Sequence, residues 1–203
     1  HLDALLCRFA FYLEGVDIED FDGGIESTNN SGEYFYISHI QQMNTNEFGI
    51  RLNNAASIKH CHIYIDNVIN NNGIEISDGP NSVMQDLFSN SGILLEDSPF
   101  SLVKENTIVT YSRAQFYTLE VRNSDGTRIS DNWINSESMA GIGLINSSIN
   151  CSGNNITLWA SGPSSWGIGN AGNSSEIKNN IIQAPYSEAG IITAFSGDNR
   201  IEN

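Results

Sequence analysis

The sequence predicts an all-β solenoid of about eight stacked coils, on three observations: its composition, a Gly-Ile repeat, and a second motif in phase with that repeat. Of 203 residues, 26 are Asn, 26 Ile, 25 Ser and 18 Gly. Ile loses χ1 freedom in a helix and packs well on a pleated surface, so this usage favours strands and excludes a helical bundle. With 39% apolar residues the chain has material for a core, which excludes wholesale disorder.

The first motif is Gly-Ile-x-apolar. It reads Gly49-Ile50-Arg51-Leu52, Gly73-Ile74-Glu75-Ile76, Gly92-Ile93-Leu94-Leu95 and Gly141-Ile142-Gly143-Leu144, with shorter forms at Gly24-Ile25, Gly167-Ile168 and Gly190-Ile191. Successive spacings are 25, 24, 19, 49, 26 and 23, and a degenerate copy, Thr118-Leu119-Glu120-Val121, divides the 49 into 26 and 23. A unit this short cannot bury its own apolar face; stacked units bury a continuous Ile column while main-chain bonds run between them. Side chains alternate along a strand, so Ile74 and Ile76 point inward and Glu75 outward.

The second motif, apolar-x-x-polar-x-apolar, runs Val103 to Ile108, Ile129 to Ile134 and Ile177 to Ile182, with looser copies at Ile58 to Ile63 and Val83 to Phe88 and a shifted one at Ser152 to Ile156. Each coil is therefore expected to hold two short strands and a polar corner. Asn106, Asn132 and Asn180 read as a stack of side-chain amides at that corner, where Asn tolerates the left-handed conformation. Ser is expected to cover much of the outside.

This pattern resembles the right-handed parallel β-helix of the pectate-lyase-like superfamily, whose repeats read Asn-x-Ile followed by Gly-Ile-x-Leu. The resemblance covers roughly residues 14–203; residues 1–13 read as an N-terminal cap or incomplete first coil, with Phe9, Phe11 and Tyr12 favouring strand. The chain stops at the start of another coil, so further domains or an oligomer partner are expected to cover the open C-terminal end. The resemblance implies an extracellular or cell-surface protein that binds a polysaccharide, with hydrolase or lyase as the reaction if it is an enzyme. A non-catalytic structural or adhesive rod within a larger surface or fibre protein is the alternative, because the fold hosts both. Gly-His-Gly and Arg-Ile-Lys of the polygalacturonase type are absent, as is Asp-Pro-His-Asp of the alginate epimerase type.

Net charge is −15, with 15 acids and 3 bases in residues 1–100 but 9 acids and 6 bases in residues 101–203. That balance repels polyanions and argues against a nucleic-acid partner. No apolar run is long enough to insert in a membrane as a helix. Cys7, Cys61 and Cys151 match no metal or redox spacing and read as three buried or half-buried thiols, with one disulfide and a leftover thiol, of no particular pairing, as the alternative in a secreted chain.

Aligning coils by their closing apolar residue puts Phe21, Ile40, Ile63, Phe88, Ile108 and Ile134 in one inward column. Asp20, His39 and His62 then share an outward one, near Glu19, Lys59, His60 and Asp86. Such a set suits acid–base chemistry by a His flanked by a carboxylate, or a divalent cation. Calcium is the cation suggested by the acids Asp17, Glu19, Asp20 and Asp22, although no spaced calcium loop is present. On the Gly-Ile strand, Glu26, Arg51 and Glu75 form an outward ladder. Glu26 and Glu75, about 10 Å apart at two coil rises, match an inverting glycosidase pair, and the same ladder is an ordinary device for cross-strand ion pairing. Trp133, and Trp159 and Trp166 flanking an inserted loop, are candidates to stack on sugar rings, with Arg51 and Lys59 as further substrate contacts.

Overall fold

Short apolar-x-apolar runs punctuated by Asn, Asp and Gly give short strands joined by tight corners. The computed structural model describes residues 3–7, 12–27, 34–65, 72–111, 116–160, 162–194 and 198–202; Phe9 and Phe11 lie outside them. β1 is Asp3–Cys7, β2 Tyr12–Glu14, β3 Ile18–Ser27, β4 Phe35–Ser38 and β5 Met43–Leu52. β6 is Ala56–Lys59, β7 His62–Ile65, β8 Asn72–Ser77, β9 Val83–Gln85, β10 Phe88–Ser89 and β11 Gly92–Glu96. β12 is Leu102–Lys104, β13 Thr107–Thr110, β14 Tyr117–Arg122, β15 Arg128–Ser130, β16 Trp133–Ser136 and β17 Ala140–Ile145. β18 is Asn150–Ser152, β19 Asn155–Leu158, β20 Gly162–Ala171, β21 Glu176–Lys178, β22 Ile181–Gln183, β23 Ser187–Thr193 and β24 Arg200–Glu202.

These strands stack in parallel as a β-helix of about 7 turns. Each full turn carries three strands rather than the expected two. Face I is a 9-stranded sheet from β2 to β24; face II runs β7, β10, β13, β16, β19, β22; face III runs β8, β11, β14, β17, β20, β23. Faces II and III join into one sheet because β5 bends, pairing Met43–Thr45 with β7 and Ile50–Leu52 with β8. β1 pairs in parallel with β3, placing Leu5 beside Ile25 and Cys7 beside Ser27.

Alternation sets the core. Ile74 and Ile76 are fully buried with Glu75 between them half-exposed. The repeated Gly has a steric cause: a Cβ at Gly49 would meet Ile63 and the Gly73 carbonyl, and one at Gly141 would meet Ile156 and the Gly167 carbonyl. Thr118 occupies this position in the degenerate copy, in register with Leu119 beside Ile93 and Ile142. Its buried hydroxyl donates to Ser136 Oγ at 2.6 Å and lies 3.1 Å from Thr110 Oγ1.

Polar ladders line the corners inside the coil. Asn106 accepts the Leu87 amide, Asn132 the Asn106 amide, Asn154 the Asn132 amide and Asn180 the Asn154 amide, at 2.9 to 3.1 Å. The expected Asn stack is present, and Asn154, in the copy that reads as shifted, completes it. Serine corrects the sequence expectation: Ser82, Ser98, Ser101, Ser124, Ser147 and Ser175 are buried, not surface-covering. Their hydroxyls accept main-chain amides of the preceding coil, as in Ser82 N to Ser101 Oγ at 3.0 Å and Ser98 N to Ser124 Oγ at 2.9 Å. A small hydroxyl satisfies a buried corner amide that an apolar side chain would strand.

Candidate functional site

The corner between faces I and II turns on one left-handed residue per coil: His39, His60, Asp86, Glu105, Asp131 and Asn179 all have φ between 52° and 57°. Their side chains are carried outward, one above another. The residue that follows each turns inward, as Ile40, Cys61, Leu87, Asn106, Asn132 and Asn180.

β4 and β6 pair Ser38 with Lys59, so His39 and His60 occupy the same corner on adjacent coils. Their rings stack with centroids 4.9 Å apart and planes 30° apart. Each Nδ1 faces a carboxylate: His39 lies 3.2 Å from Glu14 Oε1, and His60 lies 3.5 Å from Asp86 Oδ2. The result is a row Glu14, His39, His60, Asp86. A carboxylate at Nδ1 favours the tautomer that carries its proton there, which leaves the lone pair on Nε2. Tyr12 donates to Glu14 Oε2 at 2.7 Å, and that bond holds the Tyr12 hydroxyl above its ordinary pKa. Tyr12, Tyr36, Lys59 and the two histidines surround a cavity of about 270 Å³. Lys59 has no ion-pair partner among the described residues, and it shares a register column with Lys104 and Lys178 on face I.

The expected trio of Asp20, His39 and His62 is not one column. Ile63 pairs with Met43, not Ile40, because the second coil has one more residue between its corner and its strand. His39 therefore stands beside His60, while His62 aligns with Phe88 on face II. Phe88 is displaced likewise: it faces outward, and Ser89 takes the inward place beside Ile63 and Ile108. Asp20 sits at a register irregularity in β3, with φ 63°, in neither column. Asp17 Oδ1 accepts the Gln42 amide at 3.1 Å. Among the described residues no three His, Cys, Asp or Glu side chains are gathered to hold a metal ion.

Face II carries the other candidate. His62, Tyr64, Asp86, Phe88, Glu105 and Thr107 line a groove of about 350 Å³, and Tyr64 also borders a second of about 410 Å³ with Gln42, Asn44 and Asn90. The Tyr64 and Phe88 rings lie 5.1 Å apart, and His62 meets Phe88 edge-on at 6.1 Å. Further along the same face, Trp133 follows Phe88 and Thr107 in register and is 43% exposed. Trp159 is 50% exposed, and its indole Nε1 donates to Asn135 Oδ1 on the neighbouring coil at 2.8 Å.

Trp166 belongs elsewhere. The segment read as an inserted loop is β20, which begins at Gly162, and it places Trp166 beside Ala140 on face III. There its ring packs against Phe116 at 5.8 Å. Also on face III, Glu26, Arg51 and Glu75 pair in the expected register. Arg51 lies 3.7 Å from Glu26 Oε1 and 2.7 Å from Glu75 Oε2, and its guanidinium covers the Phe48 ring at 4.1 Å. Both carboxylates are thus engaged by one cation, the geometry of cross-strand ion pairing.

Sequence reading missed Glu14 and the alignment of His39 with His60, as well as the tyrosines Tyr12, Tyr36 and Tyr64. A usable signal existed: 24 residues separate Tyr12 from Tyr36 and 21 separate His39 from His60, both within the repeat period. Compared with known proteins, the chain matches no family model, no curated protein and no solved structure.

Proposed function

We propose that this β-helix binds a polysaccharide along face II. The observation that carries the reading is the run of exposed rings Tyr64, Trp133 and Trp159 on one lateral face, with the half-buried Phe88 ring beside Tyr64 and the Trp159 indole fixed by Asn135. Coils rise by about 4.8 Å, so rings on successive and alternate coils offer repeated flat surfaces to a chain of sugars lying along the axis. Aromatic faces give apolar contact area at low entropic cost, and Asn44, Asn90, Asn135 and Thr107 offer hydrogen bonds between them.

Affinity electrophoresis through gels containing different polysaccharides tests it. At least one gel is expected to retard the protein, and Trp133→Ala with Trp159→Ala to abolish the retardation. Retardation unchanged in that double variant, or none in any gel, overturns the reading.

The alternative, a rod module without a ligand, draws on the self-paired charges of face III. Arg51 is shared between Glu26 and Glu75, and Arg122 between Glu96 and Glu120, so both cations of this row are engaged within the face. The same electrophoresis separates the two readings.

A further inference from the structure

We infer that the groove of face II selects a sugar bearing a free amino group, as in a glucosamine polymer. This rests on the reading of face II as a saccharide surface and names the sugar class it takes.

The groove has an aromatic wall and an acidic rim. Tyr64 and Phe88 form the wall, and Thr107 adds a hydroxyl. Asp86 and Glu105 form the rim, successive members of the left-handed corner column on adjacent coils. Their side chains are 38% and 46% exposed, open to a ligand while partly shielded from solvent. Their other contacts come from the face I side: His60 approaches Asp86 at 3.5 Å, and Lys104 and Gln85 reach Glu105 at 3.2 and 2.9 Å.

A uronate would add a third carboxylate to a rim where Lys104 already engages Glu105 and Asp86 faces only His60, and a neutral sugar would leave Asp86 with no Lys or Arg partner among the described residues. An ammonium instead offers three donors to the two acceptors and is attracted to the adjacent ring faces. The field of residues 1–100, with 15 acids to 3 bases, steers cations toward this half of the molecule. A basic peptide would share the charge. The saccharide is favoured by flat rings beside a hydroxyl in a shallow groove.

The test is titration calorimetry with a glucosamine hexamer, an N-acetylglucosamine hexamer, an oligogalacturonate and an oligolysine. The glucosamine hexamer is expected to bind at least tenfold more tightly than the acetylated one, with affinity falling as salt rises. Asp86→Asn with Glu105→Gln should remove that preference. Glu188→Gln with Glu202→Gln, the same charge change at distant exposed positions, should preserve it. Equal binding of the two hexamers, still weakened by Phe88→Ala, overturns the amino-sugar inference and leaves the saccharide reading standing. Tighter binding of oligolysine than of any sugar overturns it in favour of a basic peptide. Binding of none of these, with no retardation in any polysaccharide gel, overturns both readings.

Discussion

The two ends of this solenoid use one corner in opposite ways. Toward the N-terminus the residue after the left-handed turn is Ile40, Cys61 or Leu87, and the turn residues outside it are His39, His60 and Asp86. Toward the C-terminus the inner residue is Asn106, Asn132, Asn154 or Asn180, each bonded to a neighbouring coil. One half fills the inner corner with apolar volume and the other with amides, while titratable groups continue outside both, as Glu105 and Asp131 show. The same backbone path thus serves a candidate binding surface at one end and a hydrogen-bonded spine at the other.

The sharpest break of that comparison is at Asn132. Its Oδ1 accepts both the Asn106 amide and Asn106 Nδ2, and its Nδ2 donates to Val103 O and Asn154 Oδ1. Asn132→Ala strands several buried polar groups and should cost about 3 to 5 kcal/mol, seen as a lower denaturant midpoint. Asn132→Leu should cost as much, although Leu87 occupies the equivalent place, because the flanking amides are answered only by another amide. A Leu variant near wild-type stability would mean the two corners are interchangeable.

Next in size is the response to alkali. Burial raises the Cys61 thiol to about 11 and the Cys151 thiol to about 12. Both exceed the unfolded value near 9, so the neutral thiols favour the folded state. Their contribution is fully present below about pH 9 and is lost as pH rises through 11 to 12, on the order of a few kcal/mol together. Cys61→Ala with Cys151→Ala should flatten the decline of stability above pH 9 relative to wild type. An identical slope would remove the thiols as its cause.

The serine ladder should be weaker than the Asn ladder. Ser101 Oγ accepts the Ser82 amide at 3.0 Å and donates to Ser98 O at 2.8 Å. Ser101→Ala is expected to cost about 1 to 2 kcal/mol by thermal unfolding. A larger loss than Asn132→Ala would reverse the ranking.

The smallest effect concerns the turn itself. Glu105, at φ 57°, bears a side chain ill suited to that region, whereas Asn179, at 54°, is tolerated there. Glu105→Gly should stabilise by about 0.5 kcal/mol and Asn179→Gly by nothing measurable. Such a gain would fit a residue kept for its carboxylate and not for the turn. Equal responses would erase the distinction.

The repeat was legible because Gly and Ile answer local demands that recur every coil: Gly where the next coil's backbone leaves no room for a Cβ, Ile where the strand faces the core. The Glu26–Arg51–Glu75 ladder was legible for the same reason, since the Gly-Ile motif fixed its register. The His cluster was not. One additional residue between His39 and Met43 shifts the alignment, and on a strand a one-residue slip reverses which side chains face out. The buried serines escaped for another cause: a hydroxyl reads as surface unless the coil above presents an unpaired amide to it.

The sequence alone determined that this chain is a stacked all-β solenoid, because periodic apolar residues too few per unit to make a core must stack to bury themselves. Only the tertiary structure decided that each turn has three faces, that His39 meets His60, and that Trp133 and Trp159 share a face which Trp166 does not. Those juxtapositions join residues about one coil apart in sequence, and their register depends on how many residues each corner consumes, a quantity set by packing against the neighbouring coils.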